Sequence, residues 1–251
     1  MLLTIDIGNT NIKWILFDEE NILEKEVFST HSAVQFPQSI LQNTSEIAVS
    51  SVNPLGLSKI INYFSLNTAI TANIINYKSP MEIIVDYETP ETLGADRICA
   101  ANAIFTIARN STVLTSKSLI ISCDFGTANN ISIVQGDGIF LGGLIAPGIK
   151  LMTESLHNRT ASLPLTQTTG NVSLIGKSTS GAILSGVFYS AAGFVNNMVN
   201  EIKNAMDPDK IIIFTTGGNY LPIKPFIKFE HIFRENLVCE GIRFIHNYPG
   251  R

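Results

Sequence analysis

A carboxylate, a glycine turn and a hydroxyl follow one another at Asp6-Ile7-Gly8-Asn9-Thr10, and the phrase returns at Asp124-Phe125-Gly126-Thr127, near the middle of the 251-residue chain. An apolar run precedes each copy, residues 1–5 in the first case and 118–123 in the second. At the end of a strand, these residue types suit phosphate and metal chemistry. Glycine lets backbone approach a phosphate closely, and the amides of Gly8, Asn9 and Thr10 can form an anion cradle. A carboxylate repels phosphate unless a cation lies between them, so Asp6 implies a hydrated Mg²⁺. Thr127 would donate its hydroxyl to phosphate from the second copy. Lys13 either reaches a phosphate oxygen or faces solvent on an alternating strand. A hairpin turn capped by Asp6 would explain the first phrase alone. Its recurrence points to two related half-domains facing each other across a nucleotide. Thr216-Gly217-Gly218, after another apolar run, offers a flat glycine surface for a base or ribose.

The elements that must carry these groups alternate. Residues 2–5 and 12–17 read as strands joined by Gly8-Asn9-Thr10-Asn11, with a third at 22–28. A buried strand at 46–52 is punctuated by Asn53-Pro54, followed by helical spacing over 57–64 and a strand at 69–75. Gly94-Ala95-Asp96-Arg97 opens a helix over 97–109. The polar stretch 110–117 is the expected boundary between domains 1–115 and 116–251. Strands follow at 119–123, 130–135 and 139–145. Pro147-Gly148 starts a helix running to about Asn158, proline being suited to a first turn. A long helix rich in small residues covers 182–206, a strand 211–214, and a helix 241–248. Strands leading and helices following in each half predict α/β layers.

Composition narrows the partners. Hydrophobic residues make up 45% and charged residues 15%, the pattern of a well-packed globular chain. A net charge of −4 argues against general nucleic-acid affinity, which needs clustered Lys and Arg. The scattered cysteines Cys99, Cys123 and Cys239 fit a reducing compartment better than a disulfide frame or zinc site. The first apolar run breaks at Asp6 without a basic leader, and no run approaches 18 uninterrupted apolar residues. No membrane span and a cytoplasmic location are the resulting expectations.

Five motifs in order resemble type III pantothenate kinases of the acetate and sugar kinase/Hsp70/actin superfamily. They are Asp6-Ile7-Gly8-Asn9-Thr10, Gly94-Ala95-Asp96-Arg97, Asp124-Phe125-Gly126-Thr127-Ala128, the run 142–148 from Gly142 to Gly148, and Gly176-Lys177-Ser178-Thr179. Thr160-Ala161-Ser162-Leu163-Pro164 is similar to a further family segment. The resemblance spans residue 6 to about 218. It implies two actin-like (ribonuclease H-like) α/β domains with a nucleotide cleft between them, and transfer of the ATP γ-phosphate to pantothenate at the first step of coenzyme A biosynthesis. It further implies that Asp6, Ile7, Gly8, Asn9, Thr10, Asn11, Ile12 and Lys13 form the first ATP phosphate loop and that Thr127 touches ATP from the second. Asp124 would bind a monovalent cation, potassium or ammonium. Tyr87, Gly94, Ala95, Asp96, Arg97 and Thr179 would line the pantothenate pocket, with Asp96 as proton acceptor. A homodimer is the family expectation. The chain departs from the family after Thr127: Asn130 and Ser132 stand where a threonine and an aspartate are usual. Loss of that carboxylate is expected to weaken cation binding or reshape the ATP side.

The chemistry of Asp96 points the same way. A primary alcohol is a poor nucleophile until its proton can leave, and a carboxylate in reach contributes about 10²–10⁴ in rate. A helix N-terminus keeps that carboxylate ionised. Arg97, about 100° round the helix, could hold a substrate carboxylate bidentately. The structural alternative is a capping Asp96 and an Arg97 paired with a surface acid. Two functional competitors remain: a nucleotide-binding accessory or regulatory relative with weak or no kinase activity, and a kinase of the same superfamily acting on a sugar or another small acid.

Overall fold

The computed structural model describes residues 1–250. In chain order the elements are β1 (Leu2–Ile7), β2 (Asn11–Asp18), β3 (Asn21–Ser29), α1 (Gln38–Asn43), β4 (Glu46–Ser51), α2 (Pro54–Asn67), β5 (Asn73–Ile74), β6 (Ile84–Val85), α3 (Ala95–Ser111), β7 (Leu119–Phe125), β8 (Ala128–Gln135), β9 (Ile139–Pro147), α4 (Ile149–Arg159), α5 (Thr179–Met206), β10 (Ile211–Thr216), α6 (Tyr220–Ile223), β11 (Ile232–Phe233) and α7 (Leu237–His246). They form two compact units. The first holds Met1–Val113, Gly138–Leu141 and the chain from Asn236 onward; the second holds Leu114–Asp137 and Gly142–Glu235.

In the first unit the sheet order is β3-β2-β1-β4-β5. β1 runs antiparallel to β2 and parallel to β4, and β4 parallel to β5. Near-continuous apolar residues let β1 bury both faces, as a central strand must. Trp14, Phe36, Ile60 and Phe64 close the core on one side. On the other, Ile15 and Phe17 meet Cys239 of α7. Helices α3 and α7 approach so closely that a Cβ on Gly241 would lie 1.9 Å from the Cys99 carbonyl oxygen, so only glycine fits there.

The second unit repeats the plan in the order β9-β8-β7-β10-β11. β7 is antiparallel to β8 and parallel to β10, and β10 parallel to β11. Both units therefore share one strand order, that of the actin-like, ribonuclease H-like fold that the family resemblance implies. Ser178 starts α5, its Oγ accepting from the Gly181 amide at 3.1 Å. Length and composition alone would let α5 cross a membrane; 44% of its most apolar window is buried inside the structure.

Three local expectations change. The strand predicted at 69–75 pairs only at Asn73–Ile74. Helix α1 was not anticipated, since its six residues are too few for a clear period. Pro147 ends β9 rather than opening α4. At a strand end its missing N–H costs nothing, and its carbonyl accepts from Asn129 Nδ2 at 3.1 Å.

Candidate active site

In the first unit Asp6 sits one residue before the end of β1, opposite Lys13 on β2 and Ser50 on β4. Asn9 and Asn11 of the following loop are exposed, while Ile7 and Ile12 are buried and anchor it. The Gly8 amide donates to the Asn11 carbonyl at 2.9 Å and so closes the turn. Thr30, just beyond β3, braces the loop twice. Its Oγ1 donates to the Gly8 carbonyl at 3.2 Å and its amide to the Thr10 carbonyl at 3.0 Å. On the β4 side the Val52 amide donates to the Ile7 carbonyl.

Asp96 stands in the first turn of α3, after Gly94 at the N-cap. Its carboxylate folds back to accept from the Arg97 amide at 2.7 Å. Gly94 permits this, because a Cβ there would lie 2.5 Å from Asp96 Oδ1. Burial raises the Asp96 pKa, opposed by the Arg97 amide and guanidinium. Three residues on, along the same helical face, burial pushes the Cys99 thiol well up, with smaller contributions from Asp6 and Asp96. The strand-end carboxylate and the helix-start carboxylate thus belong to one neighbourhood. Cys239 is pushed up to about 12, by burial and then by Asp6. Both thiols stay protonated and put no further anion beneath Asp6.

Arg97 is buried. Its guanidinium carbon lies 6.0 Å from the centre of the Tyr87 ring and 5.8 Å from that of Phe140. Tyr87 follows β6, which pairs with the first residues of β9 at Ile84↔Ile139 and Val85↔Phe140. Asn102 and Thr106 of α3 hold that segment: Asn102 Oδ1 accepts from the Glu82 amide at 3.0 Å, and Thr106 donates to the Glu82 carboxylate at 3.2 Å. Gly94, Ala95, Asp96 and Arg97 are consecutive, and the Arg97 guanidinium brings the Tyr87 ring beside them.

In the second unit Asp124 faces Asn130 across β8 and Thr216 across β10. The turn is shorter. The Gly126 amide donates to the Ala128 carbonyl at 3.1 Å, and Thr127 is exposed. Two backbone amides and one side chain enclose it. The Gly148 amide donates to the Thr127 carbonyl, the Asn219 amide to the Phe125 carbonyl, and Asn219 Nδ2 to the Gly126 carbonyl. Gly217, at φ +100°, packs directly on Asp124 and Phe125. Thr179 is exposed at the first position of α5, where it borders an apolar groove of about 850 Å³ between α4 and α5. Sequence reasoning missed Thr30, Phe140 and Asn219 as contributors. Asn219, following Gly217-Gly218, carried a signal as a polar residue after a glycine turn; Phe140 looked like any strand aromatic.

The family model described as type III pantothenate kinase matches residues 2–201. The chain belongs to that family. A type III pantothenate kinase of Flavobacterium psychrophilum is 30% identical over 254 residues, covering 99% of each chain. One of Flavobacterium johnsoniae is 29% identical over 255 residues, covering 99% of this chain and 98% of its own. Among solved structures, a Campylobacter jejuni protein described as a Baf family transcriptional activator superposes with a TM-score of 0.57 at 21% identity. It covers 97% of this chain and 96% of its own, and shares the fold. The span matched by the type III pantothenate kinase model takes in both turns, the start of α3 and the start of α5; Gly217 and Asn219 lie beyond it.

Proposed function

We propose that the protein transfers the γ-phosphoryl group of ATP to the primary hydroxyl of pantothenate, giving 4′-phosphopantothenate at the first step of coenzyme A biosynthesis. Membership of the type III pantothenate kinase family over residues 2–201 carries this reading. Asp96 accepts the hydroxyl proton as the new O–P bond forms. Desolvation makes its carboxylate more basic than an ordinary aspartate, and the Arg97 amide fixes its orientation. Arg97 binds the substrate carboxylate, and Tyr87, Gly94, Ala95 and Thr179 shape the pocket. Asp6 through Lys13 and Thr127 hold the phosphate chain, so that alignment and charge stabilisation supply most of the acceleration.

Among the described residues no group of three or more His, Cys, Asp or Glu side chains could hold a metal. A lone strand-end carboxylate such as Asp6 suits Mg²⁺, which keeps several waters and binds through one or two carboxylates plus substrate phosphates. Asp124, with Asn130 opposite, fits a singly charged cation, K⁺ or NH₄⁺. Both ions would neutralise phosphate charge when bound. The apolar groove between α4 and α5, lined by Leu151, Leu156, Ile183 and Val187, supports a homodimer. The reading also assigns a cytoplasmic protein without nucleic-acid or membrane partners.

The test is a coupled kinase assay with and without pantothenate, in sodium against potassium or ammonium buffer. Pantothenate-dependent ADP release that needs K⁺ or NH₄⁺ is expected. ADP release indifferent to pantothenate would sink the substrate assignment.

A further inference from the structure

We infer that Phe140, together with Tyr87, is a positioning residue that aims Arg97, and that this aromatic clamp makes the protein selective for acceptor alcohols carrying a carboxylate. The inference rests on the role proposed for Arg97 and adds to it the device that sets the guanidinium.

A long flexible side chain recognises a planar anion well only when its fork is already in place. Arg97 is buried, so its charge is desolvated and needs compensation. Two aromatic rings contribute to it from one side: the centroids of Tyr87 and Phe140 lie 6.0 and 5.8 Å from the guanidinium carbon and 6.1 Å from each other. Cation–π attraction orients the guanidinium without consuming any of its N–H groups.

The clamp has its own support. Phe140 is fully buried and pairs with Val85, so its side chain lies on the same sheet face as Val85 and, two residues on, Tyr87. The Asp86 amide donates to the Phe140 carbonyl at 3.3 Å and the Ile84 amide to the Gly138 carbonyl at 2.9 Å. Gly138, at φ +91°, turns the chain into β9 against the Phe105 ring, where a Cβ would lie 3.1 Å from the ring edge. Phe105 belongs to α3, the helix that carries Arg97, so clamp and guanidinium share one helix as their reference.

The experiment compares the full-length wild type with Phe140→Leu, Phe140→Tyr and Tyr87→Leu, by steady-state kinetics and by calorimetric binding of pantothenate and of its uncharged primary-amide analogue. Phe140→Leu is expected to raise KM for pantothenate about tenfold, leave KM for ATP within about twofold, and narrow the preference for the acid over the amide by a similar factor. Phe140→Tyr, which restores a ring face, should recover both. If Phe140→Leu does not fold, Tyr87→Leu removes the other face at a half-exposed position and must show the same split. An unchanged acid-to-amide preference in a folded variant overturns the inference, as does an equal rise in KM for ATP and pantothenate. If wild type neither binds nor phosphorylates pantothenate, the proposed function itself fails, a result distinct from an active wild type with indifferent clamp variants.

Discussion

In the first unit the turn after β1 takes three residues, Gly8 to Thr10, and its outer brace, Thr30, holds it by backbone and side chain together, the amide on Thr10 and Oγ1 on Gly8. In the second the turn after β7 takes two, Gly126 and Thr127, and its outer brace is backbone, at Gly148. The braces come from equivalent places, since Thr30 follows β3 and Gly148 follows β9, the strands two places from β1 and β7 in their sheets. The inner brace is equivalent as well: Val52 after β4 bonds to Ile7, and Asn219 after β10 bonds to Phe125. One topology has thus been equipped in two ways. In the first turn the bracing residue, Thr30, carries a side chain and uses it. In the second turn it is the bracing residue, Gly148, that admits no atom beyond glycine, while Thr127 within the turn stays exposed.

That contrast sets the order of the expected effects. The largest belongs to the second turn. A Cβ at Gly148 would fall 2.3 Å from the Gly126 carbonyl and 2.5 Å from that of Thr127, backbone atoms that cannot rotate aside. Gly148→Ala should destabilise by about 3 kcal/mol and abolish measurable turnover; a melting curve and the coupled assay read both. At Gly8 the added Cβ meets only the Asn11 carbonyl at 3.1 Å, so Gly8→Ala should cost no more than about 1 kcal/mol. Equal losses in the two variants would break the comparison.

Next comes Asp96→Asn, with turnover reduced about 10²-fold or more. Its effect on stability runs the other way. The Asp96 pKa is higher in the folded than in the unfolded chain. Its contribution is therefore fully present only below the unfolded value of 3.8 and declines as pH rises through the folded value. Asn should match or raise Tm at pH 7 while retaining the bond from the Arg97 amide. A lower Tm at pH 7 together with normal turnover would remove Asp96 from the mechanism. The acid limb of the kcat profile should lie above the ordinary aspartate range.

A smaller effect is expected at Thr30→Val. Losing one partly buried hydroxyl bond costs about 1 kcal/mol and should raise KM for ATP severalfold with little change in KM for pantothenate. The smallest sits at the end of β7 opposite its turn. Asp209 accepts from Thr115 and Ser118, and these bonds, Thr115 foremost, lower its pKa. Stability from this fully exposed group is present above the unfolded value and lost as pH falls through the folded one. Asp209→Asn should flatten acid unfolding slightly and leave the kinetics unchanged.

Much of this was legible in the sequence because it rests on local signals. Asp6-Ile7-Gly8 and Asp124-Phe125-Gly126 mark strand ends by composition, and Gly94 before Asp96 marks a helix start. What escaped rests on contacts between distant segments. Thr30 and Asn219 each act through two hydrogen bonds set by sheet order. The role of Phe140 exists only once β6 pairs with β9, and β6 is a two-residue strand with no period to detect. The strand expected at 69–75 failed for a related reason: it is an edge, and an apolar run there needs only a short pairing.

Helix α7 is drawn from residues 237–246, yet it packs on α3 and β1 of the first unit, at Gly241 within touching distance of the Cys99 backbone. During synthesis, the helix that presents Asp96 must therefore wait for a segment the ribosome makes more than a hundred residues later. A nascent chain stalled before Asn236 would carry every catalytic group proposed for that unit on an unfinished floor, exposed to chaperones and proteases.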